Sequence, residues 1–131
     1  MSPELHKTWE TACLSRQRSY SPYSHFAVGA ALKIRNSELT VGGCNVENAS
    51  YGGTVCAERS AVFSAVSQGH KDFEFLVVVT DAEPAAVPCA FCLGVLAEFC
   101  PPDFPIHLAN LGGIERSYRL DELLPHPFKL L

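Results

Sequence analysis

Three cysteines and a glutamate constrain this chain more than any other feature. They stand in Thr54-Val55-Cys56-Ala57-Glu58-Arg59 and, further on, in Pro88-Cys89-Ala90-Phe91-Cys92. Cys89 and Cys92 are three apart, so on a helix they share a face and can close on one ion. Cys56 has to reach that ion from elsewhere, and the intervening residues leave room for a helix, a loop and a strand. Any fold for this chain must therefore bring two distant segments to one point. Three protein ligands also leave the fourth tetrahedral position of a zinc ion open, as a zinc enzyme requires for water.

Glu58 decides how the cluster reads. Residues two apart on a helix point to nearly opposite sides, so Cys56 and Glu58 face one ion only at a helix start. Thr54, with capping chemistry, stands just ahead of an alanine-rich run and marks that entrance. Free N–H groups and positive potential there favour thiolate over thiol. A zinc that only holds the fold would take four protein ligands and has no use for Glu58.

The 131 residues suffice for one domain that buries most of the surface its unfolded form exposes. With 47% hydrophobic and 18% charged residues, disorder is excluded. A net charge of −4 argues against a nucleic-acid partner, which demands a basic face. Met1-Ser2-Pro3-Glu4-Leu5-His6-Lys7 has no signal-peptide core, and no apolar run approaches the ~20 residues of a membrane span. Of the six cysteines, Cys13, Cys44 and Cys100 remain outside the cluster. They read as small buried thiols in a reducing cytosol rather than as disulfides, so the expected compartment is cytoplasmic.

In chain order, residues 3 to 18 read as a helix with Leu5, Trp9, Ala12 and Cys13 on one apolar stripe. Residues 26–34 and 39–45 form a hairpin about Asn36-Ser37, and residues 46–53 form a polar loop suited to binding groups. A helix over 56–68 with Gly69 as its cap precedes a strand over 73–80. The continuous apolar run Phe75-Leu76-Val77-Val78-Val79 in that strand implies cover on both faces. A loop over 82–88 leads to a helix over 89–99, stopped by Pro101-Pro102. Residues 106–109 form a short strand, Gly112-Gly113 a turn, 116–120 a last edge strand and 121–124 one helical turn. The fold class is α/β: a three-layer α/β/α sandwich with a central mixed sheet of about five strands.

A ligand-x-Glu segment followed by P-C-x-x-C is the zinc deaminase pattern, and Cys56-Ala57-Glu58 precedes Pro88-Cys89-x-x-Cys92 in that order. Around it, Tyr23-Ser24-His25-Phe26-Ala27-Val28-Gly29-Ala30-Ala31-Leu32, Gly43-Cys44-Asn45-Val46-Glu47-Asn48-Ala49-Ser50-Tyr51 and Glu122-Leu123-Leu124-Pro125 complete a resemblance over nearly the whole chain. The sequence resembles the small, homotetrameric, zinc-dependent cytidine deaminases. That resemblance implies hydrolysis of cytidine and 2′-deoxycytidine to uridine and 2′-deoxyuridine with loss of ammonia, a step of pyrimidine salvage. It implies one Zn2+ per chain on Cys56, Cys89 and Cys92. Glu58 then moves protons from water to ring N3 and to the departing amine, and Arg59 donates to the cysteine sulfurs. Ala57 meets the pyrimidine edge through its backbone, Asn45 and Glu47 grip the ribose hydroxyls, and Phe26 packs on the base. Ala49, Tyr51 and Phe128 are expected to complete a neighbouring subunit's site.

Blander roles stand beside these: a surface arginine for Arg59, core packing for Phe26, a loose apolar tail for Phe128. The zinc loop also departs from the family's P-C-G-x-C-R-Q at Ala90, Leu93 and Gly94. This removes two donors near the metal or a subunit seam and puts a helix-weakening glycine into the first turn. Three rival functions remain in view: a deaminase for a modified cytosine nucleoside, a nucleic-acid editing deaminase, and a zinc-binding assembly module without catalysis. Intact Asn45 and Glu47, the acidic balance and the presence of Glu58 count against them in turn.

Overall fold

The apolar run at residues 75–79 is the middle strand of a mixed sheet. In the computed structural model, which describes residues 1–130, the sheet has five strands among the described residues. The expected domain end at Leu131 lies outside that range. The elements are α1 (Pro3–Arg16), β1 (Gly29–Ile34), β2 (Thr40–Cys44), a 3-10 turn (Tyr51–Gly53), α2 (Ala57–Ser67), β3 (Phe73–Val79), α3 (Ala90–Phe99), β4 (Pro105–Asn110), β5 (Gly113–Arg119) and α4 (Leu120–Leu123).

The strand order is β2-β1-β3-β4-β5. β1 runs antiparallel to both β2 and β3, β4 lies parallel to β3, and β5 closes the edge antiparallel to β4. A parallel pair needs a crossover, and α3 supplies it. Alternate residues of β3 serve opposite cores, as a pleated strand covered on both sides requires. Phe75, Val77 and Val79 meet Ala12 and Trp9 of α1, whereas Leu76 and Val78 meet Ala61, Val62 and Leu96 of α2 and α3. The expected three layers are therefore present.

Two seams are close enough to demand glycine. A Cβ on Gly29 would lie 2.0 Å from the Ala12 carbonyl oxygen of α1. A Cβ on Gly43 would lie 2.4 Å from the Ala61 nitrogen, so β2 and α2 touch backbone to backbone.

Several boundaries move from those the sequence suggests, each for a local reason. β1 starts at Gly29 rather than residue 26, because the Asn45 side chain holds the preceding segment in place of a strand partner. β5 starts at Gly113 rather than 116, because a bulge interrupts the alternation that marks a strand in sequence. Gly94 is the fifth residue of α3, beyond its first turn. Cys13, Cys44 and Cys100 are unpaired as expected, but half-buried rather than buried. Burial raises all three thiol pKa values, that of Cys100 to about 12.

Candidate active site

β2 and β3 both run antiparallel to β1, so their C-terminal ends lie at the same end of the sheet. α2 and α3 start from loops leaving those two ends, which brings their N-termini together. Cys56 and Cys89 are the N-cap residues of the two helices, each in extended backbone (φ −70°, ψ 157° and φ −72°, ψ 168°), and neither side chain makes a capping hydrogen bond. The cap position normally held by Ser, Thr, Asn or Asp is thus given to a sulfur. Thr54, expected as the cap of α2, instead ends the 3-10 turn, and its carbonyl accepts from Arg59 Nη2 at 3.2 Å.

Cys92 lies in the first turn of α3 and is buried. The Sγ atoms of Cys56, Cys89 and Cys92 all fall within 4.8 Å of one another, with Cys56–Cys89 at 3.7 Å and Cys89–Cys92 at 3.4 Å. Tetrahedral zinc with Zn–S bonds of ~2.3 Å sets its sulfurs about 3.8 Å apart, so this donor set fits the ion. The hydrogen bond from Cys92, with further ones from Arg59 and Cys89, pulls the Cys56 thiol down to about 5. Giving that bond to Cys56, together with burial, raises Cys92. Cys56 is therefore the sulfur of the cluster that ionises most readily, and binding a metal would displace the remaining thiol protons.

Glu58 follows in the first turn of α2 and is 5% exposed. Burial, with the Cys56 charge adding to it, pushes its carboxyl up to about 7. Because Cys56 is still extended, two residues suffice to bring both side chains to one cavity, as the sequence spacing demanded. Arg59 Nη2 reaches Cys56 Sγ at 3.5 Å, and its guanidinium sits 5.6 Å from the centre of the Phe91 ring.

Cys56, Ala57, Glu58 and Cys89 line a cavity of about 320 Å3 together with Phe26, Asn45 and Glu47. That is the small end of the ~300–1,000 Å3 range of ligand sites, enough for one compact ligand. Val46 exchanges backbone hydrogen bonds with Val55, while Tyr20 bonds backbone to backbone with both Asn45 and Glu47. Asn45 and Glu47 flank Val46 and are both buried, whereas Val46 is exposed.

Asn45 Oδ1 accepts from Val28 N and Ser19 Oγ, and Nδ2 donates to the Phe26 carbonyl, which leaves one amide hydrogen free. Glu47 Oε1 accepts from the Tyr23 and Ser24 amides, and Oε2 takes the Ser24 hydroxyl and keeps one lone pair. The Ser24 hydroxyl bond, aided by those two amides, holds the Glu47 carboxyl below its usual range. The pair can therefore donate once and accept once, a match for neighbouring hydroxyls.

The remaining expected residues lie outside this cavity. Ala49 is exposed. Tyr51 is 71% exposed, edge-on to Tyr23, in an adjoining concavity of about 210 Å3 that shares Ser24, Glu47 and Thr54. Phe128 is 89% exposed and borders a separate hollow beside Gly94 and Ala97 of α3. Sequence reasoning passed over Ser24, Thr80, Ala86 and Val87, which also line the cavity. Thr80 could have been noticed as the polar residue ending the apolar run of β3, for it is 1% exposed.

A family model described as the cytidine and deoxycytidylate deaminase zinc-binding region matches residues 3–108. The chain belongs to this deaminase family. Cytidine deaminase of Halalkalibacterium halodurans is 44% identical over 117 residues, covering 89% of this chain and 88% of the relative. Cytidine deaminase of Sporosarcina psychrophila is 45% identical over 114 residues, 87% and 83% of the two chains. Among solved structures, cytidine deaminase from Burkholderia pseudomallei superposes with a TM-score of 0.89 at 39% identity, covering 98% of this chain and 100% of that one. The match to the family thus extends over both helix starts that carry the cysteines. No helix among the described residues is long and apolar enough to cross a membrane.

Proposed function

We propose that this chain, as a single deaminase domain, hydrolyses cytidine and 2′-deoxycytidine to uridine and 2′-deoxyuridine with release of ammonia, as a pyrimidine-salvage enzyme of the cytoplasm. The observation that carries the reading is the buried Glu58 carboxyl lining the same cavity as two sulfurs of the three-cysteine cluster. A zinc ion, one per chain on Cys56, Cys89 and Cys92, supplies a water whose pKa falls toward ~7.

Glu58 takes a proton from the attacking water and delivers it to ring N3, which leaves C4 open to attack. Hydroxide adds to C4. The same carboxylate then takes the remaining proton from the new C4 hydroxyl and passes it to the exocyclic amine, which departs as ammonia as the C4–N bond breaks and the carbonyl forms. Base and acid are one group, because its partner changes between the two steps. The Ala57 backbone meets the pyrimidine edge and Phe26 packs on the ring. The free amide hydrogen of Asn45 and the spare lone pair of Glu47 take the sugar hydroxyls. Deoxyribose still offers the 3′ hydroxyl to this pair. Arg59 fixes the Cys56 sulfur and offsets the charge of the thiolates.

Exposure of Ala49, Tyr51 and Phe128 outside their own cavity supports a homotetramer in which these residues complete a neighbour's site. The acidic balance supports a small nucleoside, not nucleic acid, as the partner, and no membrane is involved.

The test is loss of cytidine absorbance by protein purified without chelator, with the metal content measured on the same sample. Turnover with one zinc per chain is the expected result; no turnover by zinc-loaded protein would sink the reading. Phe128→Ala should raise KM more than it lowers kcat, and activity per chain should fall on dilution below the oligomer range. A fully active monomer removes the shared site and leaves the chemistry standing.

A further inference from the structure

β5 carries a bulge: Leu108 pairs with Arg116 and Ala109 with Ile114, so Glu115 is the extra residue. The bulge reverses the alternation along the strand. Ile114 packs with Ala109 and Val77 on the α1 face, whereas Tyr118 packs on the opposite face, where the Arg116 guanidinium lies 5.6 Å from its ring centre. Glu115 and Arg116, which strict alternation would send to opposite sides, instead both reach Ala85 in the loop between β3 and α3.

The Ala85 amide donates to both Glu115 carboxylate oxygens at 3.2 Å, and the Ala85 carbonyl accepts from Arg116 Nη2 at 2.7 Å. Ala85 is 2% exposed, so neither polar group has water to turn to. Both bonds are charge-assisted, the stronger kind. Among the described residues, the segment 83–88 makes no other hydrogen bond. The next two residues, Ala86 and Val87, line the cavity, and Cys89 follows with its sulfur in the three-cysteine cluster. Glu115 and Arg116 do not line the cavity themselves.

We propose that Glu115 and Arg116 are positioning residues of the deaminase site, acting through Ala85 to hold the wall from Ala86 to Cys89 in place. This rests on the deaminase reading above. A bulge that re-aims side chains beside an active site is a recurrent device, and here it sets a loop rather than touching the ligand. The clamp lies on an edge strand, far along the chain from the residues that line the cavity. A shift of this wall alters both the shape of the cavity and the direction from which Cys89 approaches the metal.

The test compares Glu115→Ala, Glu115→Gln, Arg116→Ala and the double Glu115→Ala/Arg116→Ala variant in zinc-loaded protein. The readouts are exchange of the Ala85 amide with β3 amides as internal reference, zinc release to a chelator, and kcat/KM for cytidine. Each alanine variant should speed exchange at Ala85 about tenfold while β3 is unchanged, hasten zinc release, and lower kcat/KM by roughly ten- to a hundredfold. The double variant should lose no more than the worse single one, because both groups act on one residue. Glu115→Gln keeps an acceptor for the Ala85 amide and should recover part of the loss. Unchanged exchange at Ala85, equal acceleration in β3, multiplying losses in the double variant, or no difference between Gln and Ala at 115 would each overturn the proposal. If unaltered protein fails to turn over cytidine, the deaminase reading falls, and the exchange and chelator readouts still decide the clamp.

Discussion

Gly43→Ala asks whether the position of α2, and with it Glu58, depends on a backbone contact that only glycine permits. The added Cβ would stand 2.4 Å from Ala61 N, 2.8 Å from Ala57 O and 2.9 Å from Ala61 Cα, where ordinary contact begins at 3.4 Å. All three atoms are backbone or Cα, so no side chain can swing aside. Relief requires α2 to lift by about 1 Å, and overpacking of this kind costs typically ~1–3 kcal/mol. For a chain of this size that lowers Tm by roughly 4–12 °C. Because the Ala57 carbonyl is one of the clashing atoms, the helix start carrying Cys56 and Glu58 moves with it. A displacement near 1 Å at reacting groups costs on the order of 10²-fold in rate. Thermal melts and kcat/KM for cytidine, measured on the same preparation, check both halves. A melt within about 1 °C of the unaltered protein, with kcat/KM within roughly twofold, would refute the claim that this seam sets the site.

The second glycine substitution runs the other way. A Cβ on Gly94 meets nothing within 4 Å, so Gly94→Ala should stabilise α3 by ~0.8–1.0 kcal/mol and raise Tm; a fall would reveal another copy packed against that position. Glu58→Gln should keep zinc and fold while losing at least ~10²–10⁴-fold in turnover; near-normal activity would mean the proton carrier is misassigned. His107 sits edge-on to Phe75, with Ser117 Oγ 2.7 Å from Nδ1, and burial lowers its pKa below the ordinary 6.5. In the window below about 6.5 the unfolded chain takes up a proton that the folded chain refuses, so stability should fall with pH down to the folded-state pKa. His107→Gln should flatten that slope in urea unfolding followed between about pH 7 and pH 5, and an unchanged slope counts against this origin.

The cluster was legible because chemistry fixes its spacing: metal ligands three apart and a carboxyl two from a ligand admit few backbones. The central strand was legible for a similar reason, since a run with no polar residue can only be buried on both sides. Thr54 misled because sequence alone shows which residues can cap, not that Cys56 has already taken the cap position. The first half of β5 escaped because its bulge removes the period that identifies a strand. The same irregularity hid Glu115 and Arg116, whose partner is a backbone thirty residues away in sequence. Asn45 was read for its sugar-binding chemistry, whereas most of its amide is occupied in bracing residues 26–28. A side chain's local duties leave no trace in its identity.

Four backbone hydrogen bonds join Tyr20, Asn45, Val46, Glu47 and Val55, and Val55 is bonded covalently to Cys56. The interval between Asn45 and Glu47 and the sulfur cluster is consequently a backbone measure, like the spacing of marks on a rule. Side chains at Val46 and Val55 can vary without altering it, whereas an inserted residue between Glu47 and Cys56 would have to bulge outward or break the measure. A cavity gauged in this way sorts its occupants by length before it reads their chemistry. A ligand too short to span the interval engages one end and leaves the other idle.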